Sequence, residues 1–291
     1  AKLSIEVHAF SKTAIAAILS LTVTYPAYAD VPNTFSAGQA ASAAAVNENF
    51  TSLDGRINTL EAAAVEPAAS VAINCTADAN ALKNADIRAD TTYNITGACT
   101  GPIYVEKNNV HLLGSSNATD SIMLPAGITD SAVFAGGAHN LQITNLFLDL
   151  TATTTANETA GIWARDSFVR LSDSRIQGGS TGINPYRGAI VRLDGENSIT
   201  EFTSSGLSAS DQSNINTRGQ TTVTSTKVDD QYMKAIRATT GSSIDIRSGI
   251  TISVPTSTDA RSINAEANAT VRIANSGIAS LTGDVRVDHN S

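Results

Sequence analysis

Residues 160–194 read AGIWARDSFVRLSDSRIQGGSTGINPYRGAIVRLD, and their spacing decides the fold. Ile162 is followed seven residues later by the apolar–x–apolar triplet Val169-Arg170-Leu171, and Ile183 eight residues later by Val191-Arg192-Leu193. Apolar and polar residues alternate within each triplet, the period of a strand with one buried face. The same figure (a small or apolar residue, then Ile, Leu or Val, then a triplet) recurs in both directions. Upstream, Val133 leads to Leu141-Gln142-Ile143, and Val110-His111-Leu112 is an earlier triplet. Downstream, Leu207 leads to Ile215-Asn216-Thr217, Ile236 to Ile244-Asp245-Ile246, and Ile263 to Val271-Arg272-Ile273. Successive triplets begin 22 to 31 residues apart. Short Ile-, Val- and Thr-rich strands at that period mean a solenoid of parallel strands, each coil stacking its apolar residues on the coil below. A leucine-rich repeat would need a Leu scaffold that this chain lacks. Polar residues sit at the bends after several triplets: Asn145, Asp173, Asn197 and Asn275. Asn and Asp tolerate unusual backbone angles there and can hydrogen-bond along a stack of turns.

The opening coils carry a family resemblance. Val71-Ala72-Ile73-Asn74-Cys75, Ile95-Thr96-Gly97-Ala98-Cys99 and Val110-His111-Leu112-Leu113-Gly114 are similar to the first coils of bacterial right-handed parallel β-helix proteins of the pectate-lyase-like superfamily. The resemblance implies an all-β right-handed parallel β-helix over residues 67–291. It does not fix a function, because that fold hosts lyases, hydrolases, tailspikes, adhesins and proteins without catalysis. Two cysteines one coil apart are common in such proteins. Cys75 and Cys99 are the only pair here, and an oxidising compartment permits a disulfide between them.

Composition narrows the function. The 291 residues hold 19 Lys+Arg against 27 Asp+Glu, a formal charge of −8 with no basic cluster, which disfavours nucleic acid as a partner. Charged residues are 16% of the chain, below the roughly 25% of ordinary soluble domains, and Thr, Ser, Asn and Ala take their place. Residues 1–29 have the layout of a secretory signal peptide. Lys2 and Lys12 precede an apolar run from Ala14 to Val23, and Ala27-Tyr28-Ala29 forms an A-x-A cleavage site before Asp30. The alternative is a retained anchor or buried helix. No other stretch is apolar enough for a membrane span, so a secreted or cell-surface bacterial protein is expected.

Residues 30–66 form a separate segment. Val46, Phe50, Leu53, Ile57 and Leu60 step by 4, 3, 4 and 3 residues, the a/d seam of a coiled coil. Ser36 or Ser42 is placed to cap the helix, and Glu66-Pro67 ends it. Barely three heptads serve either as a trimer clamp or as an amphipathic helix over the end of the next domain. Residues 31–62 also resemble a short N-terminal module of bacterial secreted and phage-tail-like proteins, which implies export and no chemistry.

No catalytic residue and no metal set stands out. The middle residues of the triplets form an outward column: His111, Gln142, Arg170, Arg192, Asn216, Asp245 and Arg272. Adjacent arginines there need an anion between them. Asp173 or Asp194 supplies one, or Arg170, Arg192 and Arg272 grip the carboxylates or sulfates of an acidic glycan. A lyase would need Asp149, Asp173 and Asp194 to converge on calcium with Arg170 or Arg192 as base, and the family's Asp and Arg signatures are missing. A hydrolase would need paired carboxylates, for which Asp229-Asp230 is the only candidate. Trp163, Arg165, Tyr186 and Arg187 form the preferred sugar-stacking patch; the competing role for Trp163 is packing under loop 151–160. The leading expectation is a non-catalytic surface or extracellular β-helix, a filament, matrix or adhesin component self-associating through its ends. The alternatives are a polysaccharide lyase or hydrolase on an acidic glycan, with calcium if a lyase, and a trimeric tailspike-like receptor-binding module.

Overall fold

The structure is a computed structural model that describes residues 33, 38, 42–52, 69–153, 159–227, 233–255, 260–274, 278–282 and 284–287. The chain divides into two compact units, residues 1–67 and 68–291.

The second unit is a parallel β-solenoid of about seven turns. Three sheets run its length: sheet A with nine strands, and sheets B and C with eight each. One coil shows the plan. Ala160–Arg165 lies in sheet C, Phe168–Ser172 in sheet A and Arg175–Gly178 in sheet B, each paired in parallel with its counterparts one coil before and one coil after. The triplets read from sequence are the sheet A strands, and their middle residues are in register from His111 through Gln142, Arg170, Arg192, Asn216 and Asp245 to Arg272. The leading apolar residues Val133, Ile162, Ile183, Leu207, Ile236 and Ile263 are likewise in register on sheet C.

Parallel pairing forces like to stack on like, so the interior consists of apolar columns. Val169, Val191, Ile215 and Ile244 are fully buried in one, and Leu148, Ile176, Ile199, Val223 and Ile252 are buried in another. Each such side chain contributes about 1.5–3 kcal/mol relative to exposure. The small residue before each leading apolar residue also has a reason. Ala132, Gly161, Gly182, Gly206 and Ala235 occupy a corner against sheet B, where a Cβ on Gly182 would stand 2.3 Å from Ile199 Cγ2 and 2.5 Å from the Gly206 carbonyl oxygen.

The polar bends divide in an instructive way. Asn145 and Asp173 adopt left-handed backbone angles, with φ of 54° and 51°. In the next coil Gly195 takes that conformation instead. Asn197 is buried, donating from Nδ2 to the Asp194 carbonyl and accepting the Ser174 amide at Oδ1. Asn275 lies outside the described residues. A side-chain ladder along stacked turns does occur, at the bend entering sheet A. Asp90, Asn109 and Asn140 all have positive φ; Asn109 Nδ2 donates to Asp90 Oδ1 at 2.8 Å, and Asn140 Nδ2 donates to Asn109 Oδ1 at 3.1 Å.

Two further ties hold the first coils. Cys75 and Cys99 form a disulfide across 5.0 Å between Cα atoms, linking the end of the first sheet A strand to the first strand of sheet B. Asp120, buried, accepts the Gly97 amide at one carboxylate oxygen and the Ser115 amide, Ser115 hydroxyl and Ser116 amide at the other. Burial raises its carboxyl, but those four hydrogen bonds outweigh it and hold the group below the ordinary carboxylate range.

In the first unit, residues 43–52 form helix α1. Ser42 caps it: the Ala45 amide donates to its hydroxyl and the Val46 amide to its carbonyl. Asn33 and Asn49 lock reciprocally, the Asn33 amide donating to Asn49 Oδ1 and Asn49 Nδ2 to the Asn33 carbonyl, both at 2.9 Å. Val46 is half-buried and Phe50 is 65% exposed. The expected seam positions Leu53, Ile57 and Leu60, and residues 1–29 with their expected signal peptide, lie outside the described residues. No described helix is long and apolar enough to cross a membrane.

Candidate functional site

From Ile162 onward the sheet C strand Ala160–Arg165 alternates, so Ile162 and Ala164 point into the core and Trp163 and Arg165 point out. Parallel register then builds an outward column from successive coils. Trp163 stands opposite Phe134, and Phe134 opposite Tyr104. The ring centroids are 5.9 Å apart for Tyr104–Phe134 and 6.3 Å for Phe134–Trp163. In the following coil Asn184 holds this column, and the aromatic moves two residues along its strand to Tyr186, 5.6 Å from Trp163 and in register with Arg165. Four rings on four successive coils thus form a continuous ladder.

Its surroundings are specific. Tyr104 is 52% exposed, while Phe134, Trp163 and Tyr186 are half-buried. The Phe134 ring fills the space above Gly136, where a Cβ would approach Phe134 Cε1 to 2.7 Å. The Arg165 guanidinium lies 5.7 Å from the Phe134 centroid and that of Arg187 lies 5.8 Å from the Tyr186 centroid. Arg165 reaches Asp166 only at 4.0 Å, and no described carboxylate forms an ion pair with Arg187. The Tyr104 hydroxyl donates to Asp130 Oδ2 at 2.5 Å, and this bond pushes its phenol up to about 12. The buried Trp163 indole N–H has no hydrogen-bond acceptor among the described residues.

The structure therefore gathers Trp163, Arg165, Tyr186 and Arg187 in one place and adds Phe134 and Tyr104, which the sequence reading missed. The signal was available: Phe134 and Tyr104 each sit one residue after an apolar position aligned with Ile162. Recognising it required extending the period to the coil containing Ile103, which has no clear leading pattern of its own.

Arg170 and Arg192 are on sheet A, a different face of the solenoid. Asp194 lies between them, with Arg192 Nε at 2.8 Å from one carboxylate oxygen and Arg170 Nε at 3.3 Å from the other. Further along, Asp245 accepts hydrogen bonds from Arg272 and Arg247, which hold its buried carboxyl below the ordinary range against the cost of desolvation. Along this face each of these aspartates is thus shared by two arginines. His111, at the start of the column, is half-buried with Nε2 3.0 Å from Thr144 Oγ1, and burial lowers its pKa.

The carboxylates of the lyase reading are dispersed. Asp149 is on sheet B and accepts from the Thr151 amide and hydroxyl, Asp173 is at a bend and accepts the Glu196 amide, and Asp194 serves the arginines. An open polar cleft lined by Asn117, Asp173, Arg175, Glu196 and Gln220 lies nearby. Hydrogen bonds join parts of its lining, Asn117 Nδ2 donating to the Asp173 carbonyl at 2.7 Å and the Glu196 amide to Asp173 Oδ1 at 2.9 Å. Asp229-Asp230 lies outside the described residues.

The chain matches no protein-family model, no curated protein and no solved structure.

Proposed function

We propose that this chain is an exported, non-catalytic β-helix of the right-handed, pectate-lyase-like type that acts as a surface or matrix adhesin and holds polysaccharide on sheet C. The observation that carries this reading is the ladder Tyr104–Phe134–Trp163–Tyr186, one ring per coil with adjacent centroids no more than 6.3 Å apart. Outward rings on a rigid sheet present faces and edges for the C–H surfaces of sugars, while Arg165, Arg187, Asn184 and Asp130 supply donors and acceptors at the ring margins. The leader-like residues 1–29 and the Cys75–Cys99 disulfide support export.

Affinity electrophoresis through gels containing neutral or acidic polysaccharides tests it, with product analysis on the same mixtures. Retardation that Trp163→Ala abolishes, without release of fragments, is expected. Fragment release would replace this reading with an enzyme, and free migration in every gel would overturn it.

A second reading, self-association through the solenoid ends, rests on a separate observation. Val71 and Ile273 belong to inward columns at the two ends of sheet A, and they are 37% and 40% exposed. Such apolar ends are covered by a further coil, and a second copy supplies one. Negative-stain electron microscopy should show filaments with an axial repeat set by the stacked coils; discrete particles at all concentrations would exclude it. A trimer joined through Val46, Phe50, Leu53, Ile57 and Leu60 would appear as particles with threefold symmetry.

A further inference from the structure

We infer that the ladder takes a single extended glycan chain, 1,4-linked through equatorial bonds, lying along the solenoid axis with one sugar per coil and four sugars in all. This deepens the glycan-binding reading above and depends on it.

Three features carry the inference. The first is direction. The rings come from consecutive coils: Tyr104, Phe134 and Trp163 form a row parallel to the solenoid axis over two coil spacings of about 4.8 Å each, and Tyr186 continues it one coil further on, two residues along its strand. A pyranose linked through opposite equatorial positions advances by about its own width, close to that spacing, so sugars and rings stay in step. An α-1,4-linked glucan, joined through one axial and one equatorial position, curves into a helix and leaves such a row after one or two units.

The second is length. The ladder begins on Ile103–Val105, the first described strand of sheet C, and ends with Tyr186. The next sheet C strand reads Ser205-Gly206-Leu207-Ser208-Ala209, with no aromatic residue. Four ring positions are thus bounded at both ends.

The third is ring attitude. Neighbouring ring planes are turned by 57°, 80° and 46°, so the four rings share no common plane. The flat face of a polysaccharide crystal needs coplanar rings to rest on. A lone chain, whose successive sugars are turned relative to one another, meets rings that turn as well. Tyr186 also sits one pleat to the side of the Tyr104–Phe134–Trp163 column, which follows a twisting chain rather than a flat lattice. Arg187 lies at the same end as this displaced ring, Arg165 lies against Phe134 in the middle of the row, and the Tyr104–Asp130 pair lies at the other end, so the two ends of the bound chain meet different chemistry.

The test is isothermal titration calorimetry with β-1,4-linked oligosaccharides of glucose, mannose and N-acetylglucosamine, two to six sugars long. The α-1,4-linked glucose series serves as the curved counterpart, and a pull-down on microcrystalline cellulose as the flat one. Affinity for at least one β-linked series should rise at each step from two to four sugars and change less than threefold beyond four. The α-linked tetrasaccharide and the crystalline surface should bind at least tenfold more weakly. Trp163→Ala should cost at least tenfold, and Phe134→Leu, which preserves an apolar side chain, should cost affinity chiefly for chains longer than two. Equal binding of the α-linked series, binding without length dependence, or retardation in polysaccharide gels without binding to any β-linked series would overturn the single-chain inference while the glycan reading stands. No retardation in any gel and no heat with any sugar would overturn both.

Discussion

Tyr104 shows how one side chain is set by its neighbour on the next coil. Its hydroxyl donates to Asp130, and losing the phenolic proton would break that bond and place two anions together, which is why the group titrates near 12. Asp130→Asn should return it toward the ordinary value of 10.0, as read by the ultraviolet signal of phenolate formation against a Tyr104→Phe control. Gly182 poses a steric question instead. Any Cβ there meets Ile199 and the Gly206 carbonyl below 3 Å, and the backbone atom cannot step aside as a side-chain tip would. Gly182→Ala should destabilise by about 1–3 kcal/mol, the usual cost of overpacking, measured by urea denaturation. Gly188→Ala is the reference for the cost of a left-handed angle alone, since its φ is 75° and nothing lies within 4 Å. Both features were partly legible in advance. The repeat of a small residue before Ile or Leu was visible at Gly161, Gly182 and Gly206, but its cause, a corner closed by Ile176, Ile199 and Val223 of sheet B, depended on the packing of a third strand.

At the scale of the element, the bends matter as much as the strands. Asp90, Asn109 and Asn140 all adopt positive φ and bond side chain to side chain across three coils. The left-handed conformation costs most residues about 1–2 kcal/mol, and Asn and Asp less because a short polar side chain bonds locally. Asn109→Ala should therefore lose about 1–2 kcal/mol from the backbone angle, plus its ladder bonds. Asn109→Gly should lose the ladder bonds but not the conformational cost, so thermal melts of the two variants separate these contributions. Asn197 marks the limit of reading such residues from sequence. Its position after a triplet resembles that of Asn145, yet in its coil Gly195 has already made the turn. The Asn197 side chain is left to satisfy the Ser174 amide and the Asp194 carbonyl inside the wall. Composition marks a bend but does not say which residue bends.

On the scale of the whole molecule, two buried carboxylates stand out among the described residues near opposite ends of the solenoid, Asp120 between early coils and Asp245 between late ones. Both are held below the ordinary Asp value of 3.8. A carboxyl with a lowered folded-state pKa contributes stability that is fully present above its unfolded value and lost as the pH falls through the folded one. The melting temperature should thus be flat from neutral pH down to about 5 on account of these groups and fall below 4. Asp245→Asn should lower stability at pH 7, where Arg247 and Arg272 lose their anion, and flatten the acid fall. An unchanged acid limb in both Asp120→Asn and Asp245→Asn would show that other carboxylates govern it. Because a solenoid's coils contact only their neighbours, Asp120→Asn should act on the first coils, read as local loss of amide exchange protection.

The sequence alone determined the solenoid, the register of sheets A and C, and the outward direction of Trp163 and of the arginine column. It could do so because a parallel coil repeats one pattern of side-chain alternation, and stacking like on like is the arrangement that buries every apolar column at once. It also marked the cysteine pair, one coil apart. Only the tertiary structure decided which outward residues work together. Arg170 and Arg192 share the preference of Arg165 and Arg187 for an anion, but register set Asp194 between the first pair, while the second pair was placed beside aromatic rings. Phe134 and Tyr104 joined the ladder for the same reason. Strand partners across coils are 19 to 31 residues apart in sequence, a distance set by loop lengths in each coil rather than by any local pattern.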